Sequence, residues 1–118
     1  MSSFKRSSCP VANLLEIFGD KWTLLVVRDL MMGKQTYKEF HESAEGIPTN
    51  ILADRLKRLE KEKIIDKSKY QDRPIRYAYK LTQKGKDMGP ALWAMVEWSN
   101  KYIPGTRTTE EIKNLIKN

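Results

Sequence analysis

The sequence predicts an α+β domain, mainly helical, with an antiparallel sheet of two or three strands late in the chain. Three observations carry that prediction. Leu52, Leu56 and Leu59 repeat at helical spacing inside a charged segment. Between Ile64 and Thr82, two β-branched and aromatic runs flank the turn-forming segment Gln71-Asp72-Arg73-Pro74-Ile75. Glycine and proline punctuate the chain at Gly19, Gly33, Gly46-Ile47-Pro48, Gly89-Pro90 and Pro104-Gly105.

The first helix opens at Pro10, where a missing N–H costs nothing, and carries Val11, Leu14, Leu15 and Phe18 on one stripe. Gly19 ends it. Asp20 caps a second helix, Lys21 to Met32, with Trp22, Leu25, Val26, Leu30 and Met31 mostly buried and Gly33 as its stop. Thr36 and Glu39 have capping-box spacing for a short third helix through Ser43. A short strand at Thr36–Tyr37, with the helix starting one or two residues later, fits equally well.

A fourth helix runs from Thr49 to Lys63. Its leucines share one face, Asn50, Asp54, Lys57 and Lys61 lie opposite, and Arg58 stands at the flank. Strands Ile64–Tyr70 and Arg76–Thr82 follow, joined by a five-residue connection with a basic tip. Thr82 begins a longer helical region that Gly89-Pro90 should bend, because Pro90 has no N–H to donate. Met88, Leu92, Met95, Ser99 and Tyr102 recur there at steps of four and three, with Trp93 and Trp98 beside them. Thr108 with Glu111 starts a last helix bearing Ile112, Leu115 and Ile116.

A length of 118 residues suits one domain. The expected organisation is an N-terminal arm over 1–8, a folded unit over 9–103, and a linker with a short helix over 104–118. Little chain is then left for a separate effector domain. One cysteine and one histidine exclude a disulfide scaffold and a zinc finger built from this chain alone. No apolar run approaches the ~18 residues of a membrane span, and Met1 to Ser8 lacks the apolar stretch of a signal peptide. A cytoplasmic protein without membrane contact, cofactor or metal is expected. No nucleophile with a base and no phosphate-cradling glycine loop points to an enzyme.

The net charge is +7, and its placement matters more than its size. Arg55 to Lys80 holds ten basic and four acidic side chains, so six of the seven excess charges fall in one stretch. That stretch covers the fourth helix and the hairpin. A focused basic region is the electrostatic footprint of a polyanion binder, although lysine-rich surfaces are often only solvated.

Helix, helix, short helix, amphipathic basic helix, basic hairpin, helix is the order of a winged helix-turn-helix. The fourth helix would bury its leucines and leave a polar face narrow enough for a major groove ~12 Å wide. The hairpin would project beside it as a wing, bringing Arg73 and Arg76 to phosphates or the adjacent minor groove.

From Cys9 to Tyr102 the sequence resembles the HxlR-type family of bacterial winged-helix regulators, relatives of the MarR group. The resemblance rests on Cys9-Pro10-Val11, Gly19-Asp20-Lys21-Trp22 and Gly46-Ile47-Pro48-Thr49-Asn50-Ile51-Leu52-Ala53. It continues in Arg55-Leu56, Leu59-Glu60, Arg76-Tyr77-Ala78-Tyr79-Lys80-Leu81-Thr82, Gly85, Pro90 and Glu97-Trp98. It implies a homodimeric regulator of transcription, more often a repressor, that binds double-stranded DNA at a pseudo-palindromic operator. It also implies dimerisation through the first helix and the C-terminal helices. Thr49, Asn50, Ala53, Asp54, Lys57 and Arg58 take the recognition-helix role, and Arg73 and Arg76 the wing role. Where many relatives have Ser, this chain has Pro48, so Thr49 is expected to take over the cap. Asn50 stands where others have Arg, and suits adenine better than guanine.

Several residues have two readings. Asp54 repels phosphates, but it can also accept from cytosine N4 or orient a neighbouring Arg. Arg76 contacts phosphate or pairs with Asp66 or Asp72. Cys9, beside the start of a helix and near Lys5 and Arg6, is either a thiolate that senses oxidants or electrophiles, or a small side chain packed by Trp22. The sequence favours packing, since burial away from positive charge leaves a thiol inert. The seam of Met88, Leu92, Met95, Trp98 and Tyr102, with Val11 and Leu14 on the first helix, is assigned to a dimer interface. His41 is placed on the surface of the third helix. An oxidant or small-molecule effector, or a winged helix used only for protein association, are the competing functions.

Overall fold

The structure is a computed structural model and describes residues 6–116. Among the described residues, seven helices and one hairpin follow the expected order: α1 Pro10–Phe18, α2 Thr23–Met31, α3 Tyr37–His41, α4 Thr49–Lys61, β1 Ile65–Asp72, β2 Ile75–Leu81, α5 Gln83–Lys86, α6 Gly89–Tyr102 and α7 Thr109–Ile116. The core gathers Val26 and Val27 of α2, Phe40 of α3, the three leucines of α4, and Ile64, Ile65 and Tyr79 at the foot of the hairpin. Helices α1 to α4 contribute their apolar faces, and the hairpin contributes only its base.

Helix ends follow local chemistry. Thr36 Oγ1 accepts from the Glu39 N–H at 3.3 Å, and Glu39 Oε1 accepts from the Thr36 N–H at 3.1 Å, a reciprocal capping box. Thr108 and Glu111 repeat the device before α7, at 2.9 and 3.1 Å. Gly19 ends α1 with φ −74°, outside the left-handed region. Glycine is needed there for space, because a Cβ would lie 2.4 Å from the Leu15 carbonyl oxygen. The fourth helix stops at Lys61, two residues before the expected end, and Lys63 takes φ 61° as the chain reverses.

The sheet has two strands. Its antiparallel register runs from Ile65 opposite Leu81 to Asp72 opposite Ile75, with Tyr70 as an extra residue between paired Lys69 and Gln71. Because Gln71, Asp72 and Ile75 all pair, the expected five-residue connection shrinks to Arg73-Pro74. No third strand forms at Thr36–Tyr37. What remains of it is one backbone bond, from the Tyr79 N–H to the Gln35 carbonyl at 2.8 Å.

Thr82 closes the base of the hairpin. Its N–H donates to the Ile64 carbonyl at 3.0 Å, and its hydroxyl lies 2.7 Å from the Lys63 carbonyl. The same hydroxyl accepts from the Gly85 N–H at 3.2 Å, which starts α5. The helical region breaks at Asp87–Met88, and Gly89 and Pro90 open α6, where the missing proline donor costs nothing. No residue of α6 or α7 is buried.

Candidate nucleic-acid interface

On α4, the leucines face inward and Asn50, Ala53, Asp54, Lys57 and Lys61 are exposed. The expected cap by Thr49 is not made. Pro48 occupies the N-cap without a side-chain bond, Thr49 is the first helical residue, and its hydroxyl stands 3.5 Å from His41 Nε2. His41 itself is half-buried and lies 6.3 Å from the Tyr37 ring.

Two polar networks hold α4 in place. At one end, Arg28 of α2 reaches Glu45 in the α3–α4 turn through two bonds of 2.9 and 2.8 Å. Buried Asp29 accepts from Arg28 and from the Ser43 hydroxyl, and Lys34 Nζ donates to Ser43 Oγ at 2.7 Å. The Arg28 pairing holds the Glu45 carboxyl below its usual value, and Glu45 raises the Arg28 guanidinium above its own.

Along the flank of α4, Asp20 joins the α1–α2 turn to two arginines. Arg55 Nε donates to Asp20 Oδ2 at 2.9 Å, and Arg58 Nη1 to Asp20 Oδ1 at 3.2 Å. Asp20 also accepts from the Trp22 and Thr23 N–H groups and from the Thr23 hydroxyl. Burial pushes its carboxyl up, but the Thr23 hydroxyl, Arg55 and the two N–H groups outweigh that. The group is held well below the usual carboxylate range.

Arg58, at the flank of α4, bonds Asp20 and the Ile17 carbonyl. Asp54 bonds Arg55 and lies 3.9 Å from Arg58, so it orients a neighbouring arginine, as one of its two readings held. The role of Arg55 was not anticipated. Its signal was present, for it lies about 60° around the helix from the leucine stripe, close enough to face an internal partner.

The wing arginines are free. Asp72 pairs with Lys69 at 3.0 Å, and neither Arg73 nor Arg76 forms an ion pair among the described residues. Lys67 lies 3.8 Å from Glu60 and 4.5 Å from the centre of the Tyr77 ring.

Cys9 is the N-cap of α1, as expected from Pro10, but its side chain is exposed. Packing by Trp22 is therefore not its role within the chain. Arg6 pairs with Glu16 at 3.2 Å, and Lys5 falls outside the described residues. The seam assigned to a dimer interface divides. Leu14, Met88 and Leu92 pack partly against the core, whereas Val11, Met95, Trp98 and Tyr102 are exposed.

Comparison with known proteins places this geometry. The HxlR-like helix-turn-helix family model matches residues 17–107. The HTH-type transcriptional regulator Rv3095 of Mycobacterium tuberculosis, itself of uncharacterised role, is 32% identical over 94 residues, covering 80% of this chain. The chain spans 59% of the length of that relative. The HTH-type transcriptional regulator YodB of Bacillus subtilis is 31% identical over 89% of this chain and 96% of its own.

Among solved structures, PA1607, a candidate transcription factor, superposes with a TM-score of 0.77 and 34% identity over 92% of this chain and 76% of that one. The reduced form of YodB superposes with a TM-score of 0.68 and 27% identity over 86% of this chain and all of that one. A diamide-treated form of YodB matches at 0.63 with 29% identity over 80% and 94%. Sequence, fold and relatives agree: the chain belongs to the HxlR-like helix-turn-helix family of bacterial transcriptional regulators, a family of regulators rather than enzymes.

Proposed function

We propose that the chain is a sequence-specific double-stranded DNA binder that acts in the cytoplasm as a homodimeric repressor on a pseudo-palindromic operator. One observation carries the reading. Among the cations of the basic stretch, Arg55 and Arg58 share the Asp20 carboxylate, Lys67 is near Glu60, and Lys69 is bound to Asp72. Lys57 and Lys61 on the face of α4, Lys63 just after it, and Arg73, Arg76 and Lys80 on the hairpin form no ion pair among the described residues. The unpaired charge thus runs along α4 and the hairpin. Thr49, Asn50, Ala53, Asp54 and Lys57 read base edges, while Arg73 and Arg76 contact phosphates. Arg58 is left out of that set.

The homodimer is supported by α1 and α6. Val11 is 65% exposed, Trp98 60% and Tyr102 59%, and the Trp98 and Tyr102 rings meet at a tilt of 49° with centres 5.2 Å apart. The radius of gyration, 15.5 Å, exceeds the ~13.5 Å of a compact domain of this length, as expected when α6 and α7 stand outside the core. A two-fold dimer would set its recognition helices about 34 Å apart, or a multiple of that.

The test is selection of bound duplexes from a random library, followed by titration over a salt series. Symmetric half-sites and an affinity that falls with salt, less steeply for an Arg73→Ala/Arg76→Ala variant, are expected. Salt-independent binding, or no change in the double variant, would sink direct DNA recognition in favour of a protein-association role.

A second reading is favoured by the exposed thiol of Cys9 at the start of α1, and by a diamide-treated form of the similar regulator YodB. In it, oxidants or electrophiles acting on Cys9 switch DNA binding. The chain has one cysteine, so a disulfide would join two subunits or capture a small thiol. DNA release by wild type and Cys9→Ser after diamide or a quinone decides it. Identical responses dismiss the switch.

A further inference from the structure

Asp20 lies outside the surface assigned to DNA, in the turn between α1 and α2. Its Oδ2 accepts from Arg55 Nε at 2.9 Å and from the Trp22 and Thr23 N–H groups at 3.0 and 3.1 Å. Its Oδ1 accepts from the Thr23 hydroxyl at 2.6 Å and from Arg58 Nη1 at 3.2 Å. Arg58 also donates to the Ile17 carbonyl near the end of α1, at 3.3 Å. Helix α2 starts at Thr23 with Trp22 as its N-cap, so Asp20 is not the cap expected of it. The one carboxylate instead holds the turn leading into α2 and grips the flank of α4.

The leucines of α4 bury one face of it and set which side points outward; polar bonds along the flank add a directional constraint. A charge-assisted fork is directional. Base reading needs side chains held to a fraction of an ångström, whereas phosphate attraction depends mainly on how many cations face the duplex. Asp54 binds the same Arg55 from the exposed side, so the chain of groups reaches the face that would meet base edges.

We propose that Asp20 is a positioning residue for recognition: through Arg55 and Arg58 it fixes the attitude of α4, so discrimination between DNA sequences depends on it while charge-driven affinity does not. The proposal rests on the DNA reading above. It also makes the α1–α2 turn the place where a change at the α1 face would reach the recognition helix.

The test titrates wild type, Asp20→Asn, Arg55→Gln and the double variant against a duplex selected by wild type and an unselected random duplex, at one salt concentration. Each protein is first checked for folding by circular dichroism. Either single variant should lower the selected-to-random affinity ratio about tenfold, comparable to one mismatched base pair. Random-duplex affinity should stay within about twofold for Arg55→Gln, whose guanidinium is already paired, and should not fall for Asp20→Asn, which releases two arginines. The double variant should lose little more than a single one, because both remove the same interaction.

Arg55→Gln leaves the bonds from Asp20 to Trp22 and Thr23 in place, so it decides the matter even if Asp20→Asn fails to fold. An unchanged ratio in Arg55→Gln overturns the proposal. Equal losses on both duplexes also overturn it, since they would mean a general structural role. A wild-type ratio near one would instead strike the DNA reading itself, and this inference with it.

Discussion

The Arg28 guanidinium forks onto Glu45, Nη1 to Oε2 at 2.9 Å and Nη2 to Oε1 at 2.8 Å. The same guanidinium turns Nε back to buried Asp29 at 3.1 Å. The two acids occupy different surroundings, and that difference can be measured. Removing Arg28 strips a buried carboxylate of two N–H donors, whereas removing Glu45 leaves Arg28 in water and still on Asp29. Arg28→Met should cost about 2 kcal/mol in urea unfolding. Glu45→Ala should cost under about 1 kcal/mol. Equal costs would contradict this division.

Acid stability follows from three carboxyls. The Gln35 N–H and the Thr36 cap bonds hold Glu39 below its usual value, Arg28 does so for Glu45, and Asp20 is held lower still. A depressed folded-state pKa stabilises above the unfolded value and is lost as pH falls through the folded one. Stability should therefore drop progressively below about pH 5. Glu39→Gln keeps the capping geometry but cannot titrate, so its unfolding midpoint should depend less steeply on pH. A profile identical to wild type would remove Glu39 from the account.

Two glycines of the hairpin–α6 link should respond in opposite ways to alanine. A Cβ at Gly85 would sit 2.4 Å from the Ile64 carbonyl oxygen and 2.7 Å from Leu81 Cδ2. Gly85→Ala should destabilise by about 2 kcal/mol, as overpacking does. At Gly89 nothing lies within 4 Å, and Gly89→Ala should be neutral or stabilising by about 0.5 kcal/mol. Thermal unfolding of the pair compares them directly.

Assembly is the simplest quantity to measure. Light scattering at micromolar concentration should report twice the 13.8 kDa chain. Trp98→Glu places a charge on the exposed apolar face of α6 and should return the mass to that of one chain, with the helical content unchanged. A monomeric wild type would refute the dimer.

Much of this fold was readable from residue spacing. The leucines of α4 lie where helical periodicity puts them, and both capping boxes formed because Thr36 with Glu39, and Thr108 with Glu111, satisfy orphan N–H groups locally. The hairpin tip was misjudged because Gln71, Asp72 and Ile75 do not alternate. A ribbon exposed on both faces needs no alternation to pair. Lys63 turns the chain at positive φ without a glycine to mark it. On the candidate interface, charge singled out Lys57 and Arg73, both exposed, but it could not separate unpaired cations from paired ones. That distinction depends on Asp20, distant in sequence from Arg55 and Arg58.

The closure made by Thr82 gives the wing a mechanical character. With Lys63, Ile64 and Gly85 tied to Thr82, and Tyr79 bonded to Gln35, the hairpin is clamped over its lower part and free beyond Lys67. The strand from Ser68 to Asp72 makes an arm of roughly 17 Å. Tilting such an arm by about 5° at its base displaces Arg73 at the tip by about 1.5 Å. The wing therefore acts as an amplifier: adjustments too small to disturb the core become steps of atomic size at its end.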